Sequence, residues 1–230
     1  MLPWIGFAAG AALCTALSPV FIKAGARRTA PAIGAWVFSF AVLCFALGTA
    51  YLADGLPLLL TLGHRPLLLL SLAGLSSGCM WLCLFRALAG GQVNRVMPAA
   101  ELSSLLVLGG TILFFDGRIW LWRACYILLV LIGTVLMESR RQRARSAAWL
   151  LYALCAAVFS ALGELIARLG APDAPFAVTA AVRAAVAFVF LTVLAAAGRS
   201  FGTVRQMGVS GWCFTLLAAA CTGGALLLRF

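Results

Sequence analysis

Residues 149–230 repeat residues 4–85 at a constant offset of 145, without a gap. The copies align Trp4 with Trp149, Leu17 with Leu162, Lys23 with Arg168, Gly25 with Gly170, Ala32 with Ala177, Val37 with Val182, Gly63 with Gly208 and Gly78 with Gly223. A repeat constrains architecture before any local assignment, because both copies must fold into the same unit. Both are strings of apolar segments, and repeated helix sets with a site between them are a common plan for a membrane carrier.

The chain is 64% hydrophobic and 10% charged, with a mean hydropathy of +1.10. A soluble domain carries roughly a quarter charged residues, so water is not its main solvent. A spanning helix needs roughly 20 mostly apolar residues, and eight such segments stand out: 2–23, 31–53, 66–88, 93–115, 118–138, 147–169, 174–198 and 211–229. The expected fold is therefore all-α, a multi-pass membrane bundle of about eight helices. The first segment has no basic residues before it, and Lys23, Arg27 and Arg28 follow it instead, so it reads as a retained helix and not a cleaved signal. The longest polar interruption is Glu138 to Ser146, which leaves no room for a separate extramembrane domain.

The formal net charge of +11 sits mostly in loops, where anionic lipid headgroups explain it better than nucleic acid does. One alternate set of loops holds Lys23, Arg27, Arg28, Arg86, Arg95, Arg140, Arg141, Arg143, Arg145, Arg199 and Arg205; the other holds Arg65, Arg118, Arg123 and Arg168. By the positive-inside rule the richer set is cytoplasmic, with the N-terminus outside.

The eight cysteines all fall in predicted helices and read as small apolar packing residues. Cys79 and Cys83 share a helix face and could hold a soft metal, but no histidine or further thiolate lies near them in sequence. No metal or cofactor is expected.

Residues 1–139 form five predicted helices, 140–146 a basic loop, and 147–230 a partial second copy of three helices. Five is odd, so the second copy enters the membrane in the opposite sense and the repeat is inverted. The charge pattern agrees: Arg27 and Arg28 are replaced by Pro172 and Asp173, while the loop near His64 gains Arg199 and Arg205 in the second copy. Small residues at close-approach spacing mark expected packing seams at Gly6 with Gly10, Gly74 with Gly78, and Ala219 with Gly223. Trp120 and Trp122 suit a membrane interface.

The stretch from Gly74 to Met137, with Phe85, Arg86, Ala87 and Leu88 closing the third helix and Asp116, Gly117 and Arg118 following the fourth, resembles an EamA-like domain of the drug/metabolite transporter superfamily. The second copy, from Ala161 to Arg183, looks like that family's opening pair of helices, with Arg168 and Arg183 at its basic positions. The resemblance implies a carrier with a central pathway lined by both repeats, and both termini in the cytoplasm, opposite to the charge count. It also implies two five-helix units, or one that assembles with another; this chain has one unit plus three helices.

Ionisable side chains inside the hydrocarbon are the sharpest pointers to function, since each costs roughly 2.5–3.5 kcal/mol at a helix centre unless it is wet or paired. Glu101, Glu164 and Arg183 qualify. Asn94, Pro98 and Glu101 lie at i, i+4 and i+7 on one helix face, with Ser104 beside it, and that face is expected to line a cavity. A carboxylate there would bind substrate or a proton; the plain alternative is a structural pair with Arg86 or Arg95. Glu164 and Arg168, at i and i+4, form a pair that can serve the helix alone. Arg183 has no acid on its own helix, leaving Glu164 or Glu101 as its partner, in a role that is either structural or one of anion or substrate recognition. Lys23, at a helix end, reads as a snorkelling residue. Trp81, with Met80 and Phe85, could wall an amphipathic solute, although such residues more often meet lipid or neighbouring helices. Pro19 and Pro98 are hinge candidates, against a static kink.

The leading expectation is a transporter of small organic metabolites in a bacterial inner membrane, working by alternating access between inverted repeats, with a neutral or zwitterionic solute. The alternative is a non-transporting membrane subunit that needs a homo-oligomeric or other membrane partner to complete its bundle. An enzyme is not expected: the one histidine, His64, is in a loop, and no metal motif or nucleophile with a nearby base can be named.

Overall fold

A computed structural model describes residues 3–26, 29–53, 55, 57, 62–115, 129, 132, 148–171, 174–198 and 208–228. Seven long helices lie among them: α1 (Pro3–Ala26), α2 (Pro31–Leu52), α3 (His64–Gly90), α4 (Val93–Phe115), α5 (Ala148–Gly170), α6 (Phe176–Ala197) and α7 (Val209–Leu227). No strand occurs among the described residues. The helix expected at 118–138 lies outside them but for two residues, as do Asp116 to Arg118, both interface tryptophans and the basic loop 140–146.

Local chemistry sets the helix starts. Pro31 opens α2 behind an extended Ala30, a position where its missing N–H costs nothing. Gly63 and Gly208, equivalent in the two copies, precede α3 and α7 with nearly the same extended backbone, φ −61° ψ 160° and φ −64° ψ 154°. The duplication is visible even at this scale.

Six of the helices are long and apolar enough to cross a membrane. The exception, α4, is 23 residues long, and Asn94, Arg95 and Glu101 dilute its first half. Large apolar side chains such as Leu13, Leu68, Val189 and Val193 point away from the protein, where a bilayer would meet them. The interior is rich in alanine, with Ala35, Ala46, Ala73, Ala153, Ala187 and Ala218 fully buried. Lipid tails are as apolar as leucine, so helices in a membrane associate through close backbone approach and interhelical hydrogen bonds instead of hydrophobic exclusion.

The closest helix pairs cross between the copies. The most extensive contacts join α3 to α5 and α1 to α7, followed by α4 to α5, α3 to α6, α2 to α6 and α2 to α7. At the offset of 145, α1 corresponds to α5, α2 to α6 and α3 to α7. Exchanging the copies therefore turns the α3–α5 contact into α7–α1, turns α3–α6 into α7–α2, and leaves α2–α6 as itself. The symmetry extends to single residues. A Cβ on Gly25 would meet Phe214 and Thr215, and one on Gly170 would meet the equivalent Leu69 and Leu70. Gly78 lies against Phe190, as Gly223 lies against the equivalent Phe45. Of the first expected seam, Gly10 approaches Leu228, while Gly6 has no neighbour within 4 Å.

Contacts along α2 and α6 run in opposite order. The Trp36 indole N–H donates to Thr192 Oγ1 at 2.9 Å, and Phe40 lies beside Phe188 with ring centroids 5.5 Å apart. Further along α2, Ala46 and Ala50 cluster with Ala177, Ala181 and Ala184. As numbers rise in α2 they fall in α6, so these two equivalent helices are antiparallel.

Lys23 departs from the snorkelling expectation. Its ammonium donates to the carbonyls of Leu88, Ala89 and Gly91, the last at 2.7 Å. Those carbonyls end α3, where the helix leaves acceptors unfilled and its dipole favours a cation. Lys23 thus ties the last turn of α1 to the end of α3.

Candidate substrate cavity

A cavity of about 230 Å³ opens where α2, α3, α5, α6 and α7 converge. Ser77, Met80 and Trp81 of α3 form one wall, and Thr179 and Arg183 of α6 another. Glu164 of α5 and Thr222 of α7 complete the polar lining, while Val42, Phe176 and Leu226 add apolar surface. Both copies contribute.

Arg183 organises the polar side. It lies in the first half of α6, and its Nη1 donates to Glu164 Oε2 at 3.2 Å while Nη2 donates to Ser77 Oγ at 3.1 Å. The Ser77 hydroxyl donates to the carbonyl of Ala73 at 2.9 Å, which leaves its oxygen lone pairs to accept from the guanidinium. Gly163 lies beside the guanidinium, where a Cβ would stand 3.4 Å from Arg183 Nη2, at the edge of ordinary contact. The other oxygen of Glu164 accepts from Arg168 Nε at 3.3 Å. One carboxylate is thus shared by two guanidiniums.

The equivalent place in the other half is built differently. The counterparts of Gly163, Glu164 and Arg183 are Ser18, Pro19 and Phe38. Thr222, the counterpart of Ser77, bonds back to Ala218 O at 3.1 Å, as Ser77 does to Ala73. What approaches Thr222 is the Ser18 hydroxyl, 2.9 Å away, in place of a guanidinium. Phe38 is only 3% exposed and packs edge-on against Trp81 and Phe85, with ring centroids 5.5 and 5.6 Å apart.

Of the residues singled out from the sequence, Trp81, Glu164 and Arg183 come together at this cavity. Arg183 takes Glu164 as its partner, and the expected Glu164–Arg168 pair forms as well. Asn94, Glu101 and Ser104 do not join them. All three are exposed on α4 and are not among the residues that line this cavity. α4 packs on α5 through Gly110, which lies against Leu165, and Asn94 and Glu101 lie on the opposite, exposed face. Pro19 and Pro98 lie inside helices that continue through them. Cys79 and Cys83 are partly buried free thiols, and no cluster of three metal-binding side chains exists among the described residues.

Sequence reading missed Ser77, Thr179 and Thr222. Ser77 is one turn before Trp81 on the same face of α3, and Thr222 is its copy in the repeat. Aligning the copies for polar identity, and not only for glycine and charge, would have found the pair.

The sequence profile of the EamA-like transporter family matches residues 2–139, more than half of the chain. The chain belongs to the EamA-like transporter family. A curated relative from Sinorhizobium sp., described as an uncharacterized transporter in the cobO 3'region, is 27% identical over 134 residues, covering 58% of this chain and 95% of that protein. Nearly the whole of that relative therefore aligns to little more than half of this one. No solved structure matches the chain. Family and helices together make this EamA-like protein a multi-pass membrane transporter, in a family of carriers and not of enzymes.

Proposed function

We propose that the protein is a secondary carrier of small organic metabolites in a bacterial inner membrane, working by alternating access. In this reading its copies lie inverted as a five-helix unit (1–139), a basic loop (140–146) and a three-helix unit (147–230). One observation carries it: a cavity walled by helices of both copies has an ion pair in its lining. Ionisable groups at membrane depth are costly and persist where they meet water or solute.

Inversion draws support from the antiparallel contacts of α2 with α6 and from the contact pattern that maps onto itself when the copies are exchanged. With the copies inverted, the charged mouth beside Arg183 and the aromatic cluster around Phe38 face opposite sides of the membrane. Rocking would exchange which side is open. Pro19 and Pro98 remove backbone hydrogen bonds from α1 and α4 and provide the hinges. Asn94, Glu101 and Ser104, on the outer face of α4, stand as contacts for lipid or for a second membrane chain.

The test is efflux. Vesicles holding the purified chain are loaded with an isotope-labelled metabolite extract and diluted. At least one solute should leave in a saturable manner, and Arg183→Gln should slow it by about tenfold or more. Efflux matching that of empty vesicles for every solute would sink the reading.

A further inference from the structure

We infer that the cavity selects a small organic anion, a carboxylate on a compact apolar body. This rests on the reading of the cavity as the solute site, and it replaces the neutral or zwitterionic solute that the low charge content of the chain favours. The warrant is a local charge count. Glu164 accepts from Arg168 with one oxygen and from Arg183 with the other, so two cationic groups share one carboxylate. Glu101, the other acid among the described residues, is outside the cavity lining. Among the described residues this charged network therefore holds one more cation than anion, with Arg183 its cation in the lining and Arg168 outside it.

Arg183 is equipped to receive an anion. A guanidinium carries five N–H donors in a planar fork. Among the described residues Arg183 donates one to Glu164 and one to Ser77, and the rest are available along a side chain that lines the cavity. A carboxylate is the planar acceptor that such a fork binds with two parallel bonds. The fork is also held in place: Ser77 fixes one nitrogen, and Glu164 fixes another. A preset donor loses less entropy on binding than a free one.

The rest of the lining describes the body of the solute. Trp81, Met80, Phe176, Val42 and Leu226 offer apolar surface across from the charge, and the hydroxyls of Thr179 and Thr222 add neutral polar contacts. The volume of about 230 Å³ is below the roughly 300–1,000 Å³ of pockets for drug-sized ligands and suits a small solute. Among the described residues the single carboxylate in the lining already serves two guanidiniums, which makes it a weaker partner for an ammonium.

Four probes with one ring and different polar groups test the assignment on the full chain in nanodiscs: benzoate (an anion), benzamide (neutral), benzylamine (a cation) and phenylalanine (a zwitterion). Binding of radiolabelled benzoate is measured and competed with each. Unlabelled benzoate should compete at concentrations about tenfold or more below the other three. Arg183→Gln should abolish that preference, and Arg183→Lys should keep the preference for charge with weaker binding. Glu164→Gln, which removes the competing acid, should tighten benzoate by about threefold or more. Benzamide competing as well as benzoate overturns the proposal, and so does phenylalanine competing better, since it would require a free acid for the ammonium. Both comparisons use the unaltered protein, so a variant that fails to fold does not shield the idea. Benzoate binding with this selectivity, but no benzoate counterflow in vesicles, would remove the carrier reading and leave the anion site standing. Counterflow of a neutral solute without anion selectivity would do the reverse.

Discussion

The α3–α5–α6 interface and its counterpart, α7–α1–α2, use one set of backbone contacts for two different chemistries. The glycines at the tightest points correspond: Gly170 with Gly25, and Gly78 with Gly223. Even a mismatch is balanced, since Gly74 lies against Val186 while the equivalent positions are Ala219 and Ala41, both in one buried cluster. The polar positions diverge. Gly163, Glu164 and Arg183 make an ion pair at a cavity, where Ser18, Pro19 and Phe38 make a hydroxyl bridge and an aromatic cluster. Where backbones touch, any added atom strains both copies, so contact points cannot vary independently. Side chains facing the cavity are under no such restraint, and one half can carry charge while the other is closed.

The largest expected effect tests the shared frame. Gly78→Leu and Gly223→Leu should each prevent stable folding, because even a Cβ would overlap Phe190 or Phe45, and overpacking costs about 1–3 kcal/mol before the rest of the leucine is counted. Gly6→Leu is the control, with open space around it. Thermal unfolding in detergent reads all three. Tolerance at Gly223 with loss at Gly78 would break the equivalence of the halves.

Next comes the charged side. Arg183→Phe installs the residue of the other half, and it should reduce transport by about a hundredfold, or about 2.7 kcal/mol, if the guanidinium holds solute. Melting should change far less, because Glu164 retains Arg168 and is partly exposed. The matching change on the closed side, Phe38→Leu, should alter transport by less than about threefold while lowering stability by about 1 kcal/mol through lost ring packing. Equal transport losses in the two variants would remove the functional difference between the halves.

A smaller effect separates Lys23 from Arg168, which the repeat aligns. Lys23→Met removes an ammonium that fills three carbonyls at the end of α3 and should destabilise the protein by about 1.5–3 kcal/mol. Arg168→Met removes one bond to a carboxylate that keeps Arg183, at a site about half exposed, and should cost under about 1 kcal/mol.

How much of this was legible in the sequence follows from what each feature depends on. The positions of the seven described helices agree to within a few residues, because a spanning helix must be a continuous apolar run. Trp81, Glu164 and Arg183 were visible because tryptophan and charge are rare in such a chain, and rarity is readable without coordinates. Ser77 and Thr222 were not, since hydroxyls abound in membrane helices and most, like Thr111 and Ser71, simply bond back to their own helix. The outward turn of α4 was unreadable too. A polar helix face predicts something polar beside it, and only the packing of Gly110 on Leu165 decides whether that lies within the protein or outside it.

The smallest expected effect falls on that face. Glu101→Gln should change the transport rate by less than about twofold, because Glu101 lies on the outer side of α4 and takes no part in the cavity lining or in the ion pairs of Glu164. The companion measurement is the dependence of the rate on pH, which should be the same in the variant and the unaltered protein. A carboxylate that couples proton movement to solute must exchange protons in step with the cavity, and Glu101 shares no described hydrogen bond with it. A flattened pH profile in Glu101→Gln would mean that α4 belongs to the working site after all. The comparison of halves would then need to include α4, which stands outside the pairs α1–α5, α2–α6 and α3–α7. An unchanged profile keeps the chemistry where the two copies meet, at Arg183, Glu164 and Ser77, and leaves the polar stripe of α4 to its neighbours in the membrane.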